Sequence, residues 1–126
     1  MVPKRILVAD DEAHIQCVVA TRLREAGFAV ITADDGQQAY ELACKELPHL
    51  IVADYQMPRL SGLELAARLR NNPHTAQTPI ILMTVEGLDV SVMESSKAAL
   101  AAVLVKPFSP RDVVGKVSEL IARSAA

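Results

Sequence analysis

The chain has 126 residues, of which 51% are hydrophobic and 22% charged, and its formal net charge at pH 7 is −2. This size and composition fit one globular domain, which we expect over residues 1–126 with no second domain, and they exclude a disordered or fibrous chain. The slight negative charge disfavours direct binding to nucleic acid. Because no apolar run reaches the roughly 20 residues of a membrane span and no signal-peptide pattern is visible, we expect a cytoplasmic location.

Five short apolar runs, each bounded by turn residues, follow one another along the chain. Continuous apolarity is typical of strands that are buried on both faces of a parallel sheet. The second run is the weakest of the five, and we expect it at an edge of the sheet. The predicted strands cover residues 6–9, 29–32, 50–53, 80–83 and 103–105.

The segments between these runs have the period of amphipathic helices. Gly27 follows the first helix, where a C-terminal cap is expected. A fifth helix begins at Ser109-Pro110, with Ser109 as the N-cap and Pro110 at the first helical position. The first four predicted helices cover about 15–26, 36–45, 63–70 and 90–99. This βαβαβαβαβα order predicts an α/β fold, with a parallel sheet between two helical layers.

The two cysteines, Cys17 and Cys44, both fall within helical patterns. Their separation does not match the spacing of metal ligands. We therefore expect two reduced, buried thiols rather than a disulfide or a zinc site.

Polar side chains stand at the carboxyl ends of four predicted strands. In a doubly wound sheet these ends meet at one edge, where ligands bind. Two carboxylates roughly 4 Å apart repel each other by roughly 4 kcal/mol at an effective dielectric constant near 20, and a divalent cation relieves this repulsion. Oxygen ligands with room for water favour Mg²⁺. The residues at the strand ends are Asp10, Asp11, Asp54, Thr84 and Lys106.

This set of side chains matches the chemistry of phosphoryl transfer to a carboxylate. Asp54 is the natural nucleophile, and a metal ion, the Thr84 hydroxyl and the Lys106 ammonium would stabilise the transferred group. Each residue alone also has a purely structural interpretation. Asp11 suits a helix cap or a turn, Thr84 an ordinary strand position and Lys106 a solvated strand end. Their coincidence at one edge favours the functional interpretation.

Three segments carry a family resemblance: Ile-Leu-Val-Ala-Asp10-Asp11-Glu12, Leu50-Ile-Val-Ala-Asp54-Tyr-Gln-Met57-Pro58-Arg-Leu-Ser-Gly62 and Val105-Lys106-Pro107-Phe108. In this order they resemble the response-regulator receiver family of two-component systems, including its chemotaxis regulators. The resemblance implies a flavodoxin-like (βα)5 fold with strand order 2-1-3-4-5. It also implies a signalling domain rather than an enzyme, with self-phosphorylation and autodephosphorylation as its only reactions.

The same resemblance implies a metal site and partners. Asp11 and Asp54 would bind Mg²⁺ directly together with the backbone carbonyl of Gln56, and Asp10 would act through water. Asp54 would accept its phosphoryl group from a phosphohistidine on a sensor histidine kinase or a histidine phosphotransfer protein. An output partner is expected on the face formed by the fourth helix, the fifth strand and the fifth helix, and neither nucleic acid nor membrane is an expected partner.

Switching is also implied by the resemblance. Thr84 and Lys106 would each contact a phosphoryl oxygen, and inward movement of Thr84 would bias the region after the fourth strand. The chain departs from the family pattern in three places: Val103 replaces an aromatic residue that is common three positions before the lysine, Val85 replaces a small residue, and residues 98–102 lack a glycine that often precedes the fifth strand. These departures bear on output signalling more than on phosphoryl acceptance.

Two other functions are weighed against the phosphoacceptor switch. A phosphatase of the dehalogenase type uses a second Asp two residues after its nucleophile, but Gln56 occupies that position. A phosphate-independent interaction module, that is, a degenerate receiver, is mildly favoured by Val103 and Val85 and disfavoured by the intact acidic set.

Overall fold

The computed structural model describes residues 3–85, 100–106 and 109–125, with the backbone alone at 85, 106, 124 and 125. Five parallel strands form one sheet in the order β2-β1-β3-β4-β5, which confirms the predicted α/β fold and strand order. The strands are β1 (Arg5–Ala9), β2 (Ala29–Ala33), β3 (Leu50–Asp54), β4 (Ile80–Val85) and β5 (Ala102–Lys106).

Four helices are found in the described ranges: α1 (Ala13–Glu25), α2 (Gly36–Glu46), α3 (Gly62–Arg70) and α4 (Pro110–Ala125). Helix α4 corresponds to the fifth predicted helix, because the predicted fourth helix lies outside the described residues. Gly27 follows α1 with φ +99°, and the backbone N–H of Asp112 donates to Ser109 Oγ at 3.3 Å, so both predicted caps are confirmed. Within the described ranges, none of the helices combines the length and the hydropathy that a membrane span requires.

The three central strands are the most deeply buried. Except for Arg5, every described side chain of β1, β3 and β4 is buried. Strand β2 is half-buried over most of its length, which confirms the prediction of an edge strand for the second run. On the opposite edge, Val105 of β5 is 48% exposed.

Alternation along the strands divides the core into two layers. Ile6 and Val8 of β1, together with Leu50 and Val52 of β3, pack against α1 and α4, whereas the intervening residues pack against α2 and α3. The register pairs Ile6 with Leu50 and Val8 with Val52. Because side chains two residues apart share a face, the next position in each series is acidic: Asp10 after β1 and Asp54 at the end of β3. The pairing therefore brings these two carboxylates together at the carboxyl edge of the sheet.

The amino edge of the sheet is closed by hydrogen bonds between β1 and β3. The Arg5 N–H donates to His49 Nδ1 at 3.0 Å, and the His49 N–H donates to the Arg5 carbonyl at 2.8 Å. The Arg5 guanidinium donates to the carbonyls of Glu46 and Leu47 at the end of α2. Burial, followed by the charges of Lys4 and Arg5, lowers the pKa of His49, and this favours the neutral ring that accepts the bond.

Both cysteines are free thiols, but the prediction that both are buried is wrong for Cys17. Cys17 is exposed because Ile15 and Val19, two residues to either side on α1, face the core. Positions two apart on a helix point in nearly opposite directions. Cys44 is half-buried and accepts a hydrogen bond from Asn72 Nδ2 at 3.3 Å.

Helix α2 begins in close contact with the loop between β3 and α3. The Gly36 N–H donates to the Pro58 carbonyl at 3.3 Å. A Cβ atom at Gly36 would lie 2.1 Å from the Leu60 carbonyl oxygen and 2.5 Å from Leu60 Cβ. Glycine is therefore required here to let the two backbones approach each other.

We expect Gly36→Ala to lower the free energy of unfolding by about 1–3 kcal/mol, since the added methyl group overlaps backbone atoms that cannot rotate away. The matched control is Gly115→Ala in α4, where an added Cβ has no atom within 4 Å. That change should raise the free energy of unfolding by about 0.5–1 kcal/mol, because alanine loses less backbone entropy than glycine in a helix. Urea titration followed by circular dichroism measures both, and a Gly36→Ala variant as stable as the parent would contradict the packing described.

Candidate functional site

Three carboxylates gather at the carboxyl edge of the sheet. One carboxylate oxygen from each of Asp10, Glu12 and Asp54 lies within 4.8 Å of the others. Asp10 is 0% exposed and Asp54 is 5% exposed, whereas Glu12 is exposed. At such separations each ionised pair repels by about 3 kcal/mol at an effective dielectric constant of about 20, and burial adds a desolvation cost. A bound cation would therefore stabilise this cluster.

The turn after β1 directs Glu12 into the cluster. The Asp10 N–H donates to the Ala33 carbonyl at 3.1 Å, and the Glu12 N–H donates to Asp10 Oδ1 at 2.9 Å. Glu12 is the N-cap of α1, yet its side chain makes no capping hydrogen bond. Its carboxylate joins the cluster instead. The interpretation of Asp11 as the helix cap is accordingly wrong.

The end of β3 and the following loop (residues 55–61) have a fixed geometry. The Tyr55 N–H donates to the Met83 carbonyl of β4, and the Gly62 N–H donates to the Tyr55 carbonyl, both at 2.8 Å. A Cβ atom at Gly62 would lie 2.5 Å from the Asp54 carbonyl oxygen. Ser61 and Glu64 form a reciprocal capping box at the start of α3. These contacts hold the loop against the end of the strand that carries Asp54.

Asp11 and Gln56, two of the predicted metal ligands, are both exposed. Together with neighbouring residues they line an open depression of about 380 Å³. The other residues of its lining are Tyr55, Met57, Pro58 and Ser61.

Glu12 is the member of the cluster that the sequence analysis gave no role. Glu12 stands third in the acidic run after β1, and this position was the indication in the sequence that it could join the cluster. Its backbone N–H donates to Asp10 Oδ1, and this bond fixes the turn that carries it.

Thr84 and Lys106 also come to the carboxyl edge. Thr84 follows Met83, the partner of Asp54 in the register, and is only 3% exposed. Its buried hydroxyl makes no hydrogen bond within the described part of the chain. The Lys106 backbone ends β5 opposite Val85, and its side chain lies outside the described atoms, as do Pro107 and Phe108.

The donor set suits a hard divalent cation. All three clustered ligands found within the described ranges are carboxylates, and histidine or cysteine ligands of the zinc type are not among them. Oxygen ligands of this kind match Mg²⁺ or Mn²⁺, and the exposed side at Glu12 leaves room for water in the coordination shell. The residues at the edge thus fit the Mg²⁺ that the sequence predicts.

Comparisons with known proteins agree with this geometry. The family model of the response regulator receiver domain matches residues 6–118. The phosphate regulon transcriptional regulatory protein PhoB of Pseudomonas aeruginosa is 36% identical over 124 residues, which cover 98% of this chain and 54% of that protein. The chain spans about half the length of the curated relatives it matches.

Solved structures show the same fold. The receiver domain of the Francisella response regulator 1452 superposes with a TM-score of 0.87 at 30% identity, covering 96% of this chain and 98% of that one. The receiver domain of the sensor histidine kinase PA1611 from Pseudomonas aeruginosa, solved with a magnesium ion coordinated in its active-site cleft, gives a TM-score of 0.85 at 26% identity and covers 96% and 99%. From the match over most of its length, its fold and its acidic edge, the chain belongs to the response regulator receiver family of two-component signalling systems.

Proposed function

We propose that Asp54 is the phosphoacceptor of this receiver domain. The observation that carries the proposal is the cluster of three carboxylates at the carboxyl edge, in which Asp54 ends the central strand β3. One Asp54 oxygen would form a bond to phosphorus as the P–N bond of the donor's phosphohistidine breaks, and the electron pair of that bond would return to the imidazole nitrogen. The product is an aspartyl phosphate.

Mg²⁺ is the proposed cofactor. Asp10, Glu12 and Asp54 supply carboxylates, and the resemblance adds Asp11 and the Gln56 carbonyl as candidate ligands. When bound, the ion would neutralise the crowded acids and the charge on the phosphoryl oxygens. The magnesium ion in the PA1611 receiver supports this assignment, because that domain has the same fold.

Thr84 and Lys106 are proposed to hold the transferred phosphoryl group. The Thr84 hydroxyl is buried beside the register partner of Asp54 and makes no hydrogen bond to described residues, so it has donor capacity for a phosphoryl oxygen. Lys106 ends the neighbouring strand β5 at the same edge, and its ammonium would pair with a second oxygen. Both contacts exist only after transfer and so favour the phosphorylated state.

Receiver domains interact with histidine kinases and output domains, and for this chain we propose a sensor histidine kinase or a histidine phosphotransfer protein as donor. Output would use the face formed by the predicted fourth helix, β5 and α4, where Val105 is 48% exposed. Val103 has no ring to rotate, so backbone movement after Thr84 would transmit the signal. The cytoplasmic location stays a prediction from the sequence.

Autodephosphorylation is the reaction expected to end the phosphorylated state. A water oxygen would attack phosphorus, the P–O bond to Asp54 would break, and inorganic phosphate would leave as the carboxylate is regenerated. Gln56 is exposed and lines the depression, and we propose that it contacts that water.

Phosphoryl acceptance is tested by mass spectrometry of the intact protein after incubation with phosphoramidate or acetyl phosphate. With Mg²⁺, we expect the mass to increase by one phosphoryl group, and with EDTA or in Asp54→Asn we expect no increase. Glu41→Gln, a change of an exposed carboxylate on α2, is the matched control and should react like the parent.

An unchanged mass of the parent protein would contradict the proposal, and so would a shift that persists in Asp54→Asn. Equal affinity for a partner with and without beryllofluoride, a phosphoryl mimic, would favour the phosphate-independent module instead.

The metal ligands are tested by titrating Mg²⁺ into the protein in a calorimeter. We expect Glu12→Gln and Asp11→Asn each to weaken binding by about tenfold, Glu12 because of its place in the cluster and Asp11 because of the family resemblance. Glu41→Gln should bind like the parent. Unchanged affinity in Glu12→Gln would remove that residue from the site, and unchanged affinity in Asp11→Asn would limit Asp11 to lining the depression.

The role of the Thr84 hydroxyl is tested by Thr84→Val. We expect the free energy of unfolding without ligands to rise by about 1 kcal/mol, since the change removes a buried hydroxyl that has no partner among the described residues, while phosphorylation slows. Thr75→Val is the matched control, because Thr75 is equally buried but its hydroxyl donates to the Leu69 carbonyl at 2.7 Å. In Thr75→Val we expect the free energy of unfolding to fall by about 1 kcal/mol. An equal fall in Thr84→Val would contradict the assignment.

A further inference from the structure

We propose that Gln16 of α1 is a positioning residue for the acidic site. It would act through a brace of contacts that runs from α1 through the β2–α2 loop (Asp34 and Asp35) to the β3–α3 loop (residues 55–61). This inference rests on the proposed Mg²⁺ site, and it assigns a role to a side chain outside that site.

The Gln16 amide joins the ends of two strands and the loop after the second. Its Nε2 lies 3.0 Å from the Asp10 carbonyl, 2.9 Å from the Ala33 carbonyl and 3.0 Å from Asp34 Oδ1. All three neighbours are acceptors, so this end of the side chain must be the NH₂ group, whose two hydrogens are shared among them. A single side chain therefore fixes the backbone at Asp10 and the start of the β2–α2 loop.

The β2–α2 loop is held in turn by α2. The Asp34 N–H donates to Gln38 Oε1 at 2.6 Å, and the Gln38 N–H donates to Asp35 Oδ1 at 2.7 Å. Asp35 is the N-cap of α2. The orientation imposed at Asp34 therefore extends to Asp35.

The second half of the brace connects this loop to the β3–α3 loop. Asp35 Oδ2 lies 3.8 Å from Arg59 Nε, and the Gly36 N–H donates to the Pro58 carbonyl at 3.3 Å. Arg59 has φ +73°, a conformation that is uncommon outside glycine and that needs support from its surroundings. The supported loop also carries Gln56, whose carbonyl is a proposed metal ligand.

Gln16 also stands one helical turn after Glu12, and its backbone N–H donates to the Glu12 carbonyl at 3.0 Å. The brace therefore contacts the backbone of Asp10 and Glu12 and the loop that carries Gln56, which are three proposed ligands. The neutral Gln16 side chain adds no charge to the site. Removing a residue that orients metal ligands in this way typically weakens metal binding by roughly ten- to a hundredfold.

The test compares Gln16→Met with Gln37→Met. Methionine keeps the length and neutrality of glutamine but cannot donate, and Gln37 donates only to Glu41 within α2 among the described residues. We expect Gln16→Met to weaken Mg²⁺ binding by about tenfold and to speed hydrogen exchange at the Asp10 and Gly36 N–H groups, as measured by calorimetry and NMR. Gln37→Met should match the parent in both measurements.

A second variant, Arg59→Met, separates the two halves of the brace. It should speed exchange at the Gly36 N–H and leave the Asp10 N–H unchanged, because the Gln16 contacts remain.

The inference is overturned if Gln16→Met binds Mg²⁺ like the parent, even when its stability is lower, since that outcome describes a structural role alone. Unchanged exchange at both amides would overturn it as well. Absence of Mg²⁺ binding by the parent protein would refute the proposed metal site instead, and the exchange rates would then still report whether the brace exists.

Discussion

The constraint on which the rest of the structure depends is the parallel register between β1 and β3. Pairing of Val8 with Val52 makes the next inward positions Asp10 and Asp54, so two carboxylates meet where both strands leave the core. Neither can withdraw to solvent, because Asp10 is fully buried and Asp54 nearly so. The apolar residues that secure the register therefore also impose the repulsion that a cation would relieve.

Close packing around two glycines connects the ends of the strands to the neighbouring loops. Gly62 brings the start of α3 against the Asp54 carbonyl, and Gly36 brings the start of α2 against Leu60. Hydrogen bonds from Gln16 to Asp10 and Asp34 complete the connection between α1 and these loops. A small displacement at the end of β3 is therefore transmitted to both loops, which suits the proposed role of Asp54 as the phosphoacceptor.

The edge also lowers the stability of the domain without ligands. Three carboxylates face one another, and the buried Thr84 hydroxyl lacks a hydrogen-bond partner in the described part of the chain. A cation bound by the carboxylates relieves their repulsion, and by linkage it stabilises the folded state that binds it. Departures from local optimality of this kind are expected at functional sites.

Much of this architecture follows from the sequence. Continuous apolar runs identified the buried strands, the weak run identified an edge, and Ser109 and Gly27 marked helix ends because their chemistry is local. The parallel arrangement of the strands then brought Asp10, Asp54 and Thr84 to one edge. The exposure of Cys17 was missed because the usual burial of cysteine was applied without regard to its position on α1. The place of Glu12 in the cluster and the reach of the Gln16 amide were also beyond prediction, since each depends on hydrogen bonds between distant or turned backbone groups.

The most direct test of the central claim is anomalous X-ray scattering from crystals soaked in Mn²⁺, which has the same ligand preference as Mg²⁺. We predict one strong peak at the carboxyl edge, bounded by the carboxylates of Asp10, Glu12 and Asp54. Crystals that bind Mn²⁺ elsewhere while this cluster stays empty, or that show no peak at concentrations that saturate the protein in solution, would contradict the account.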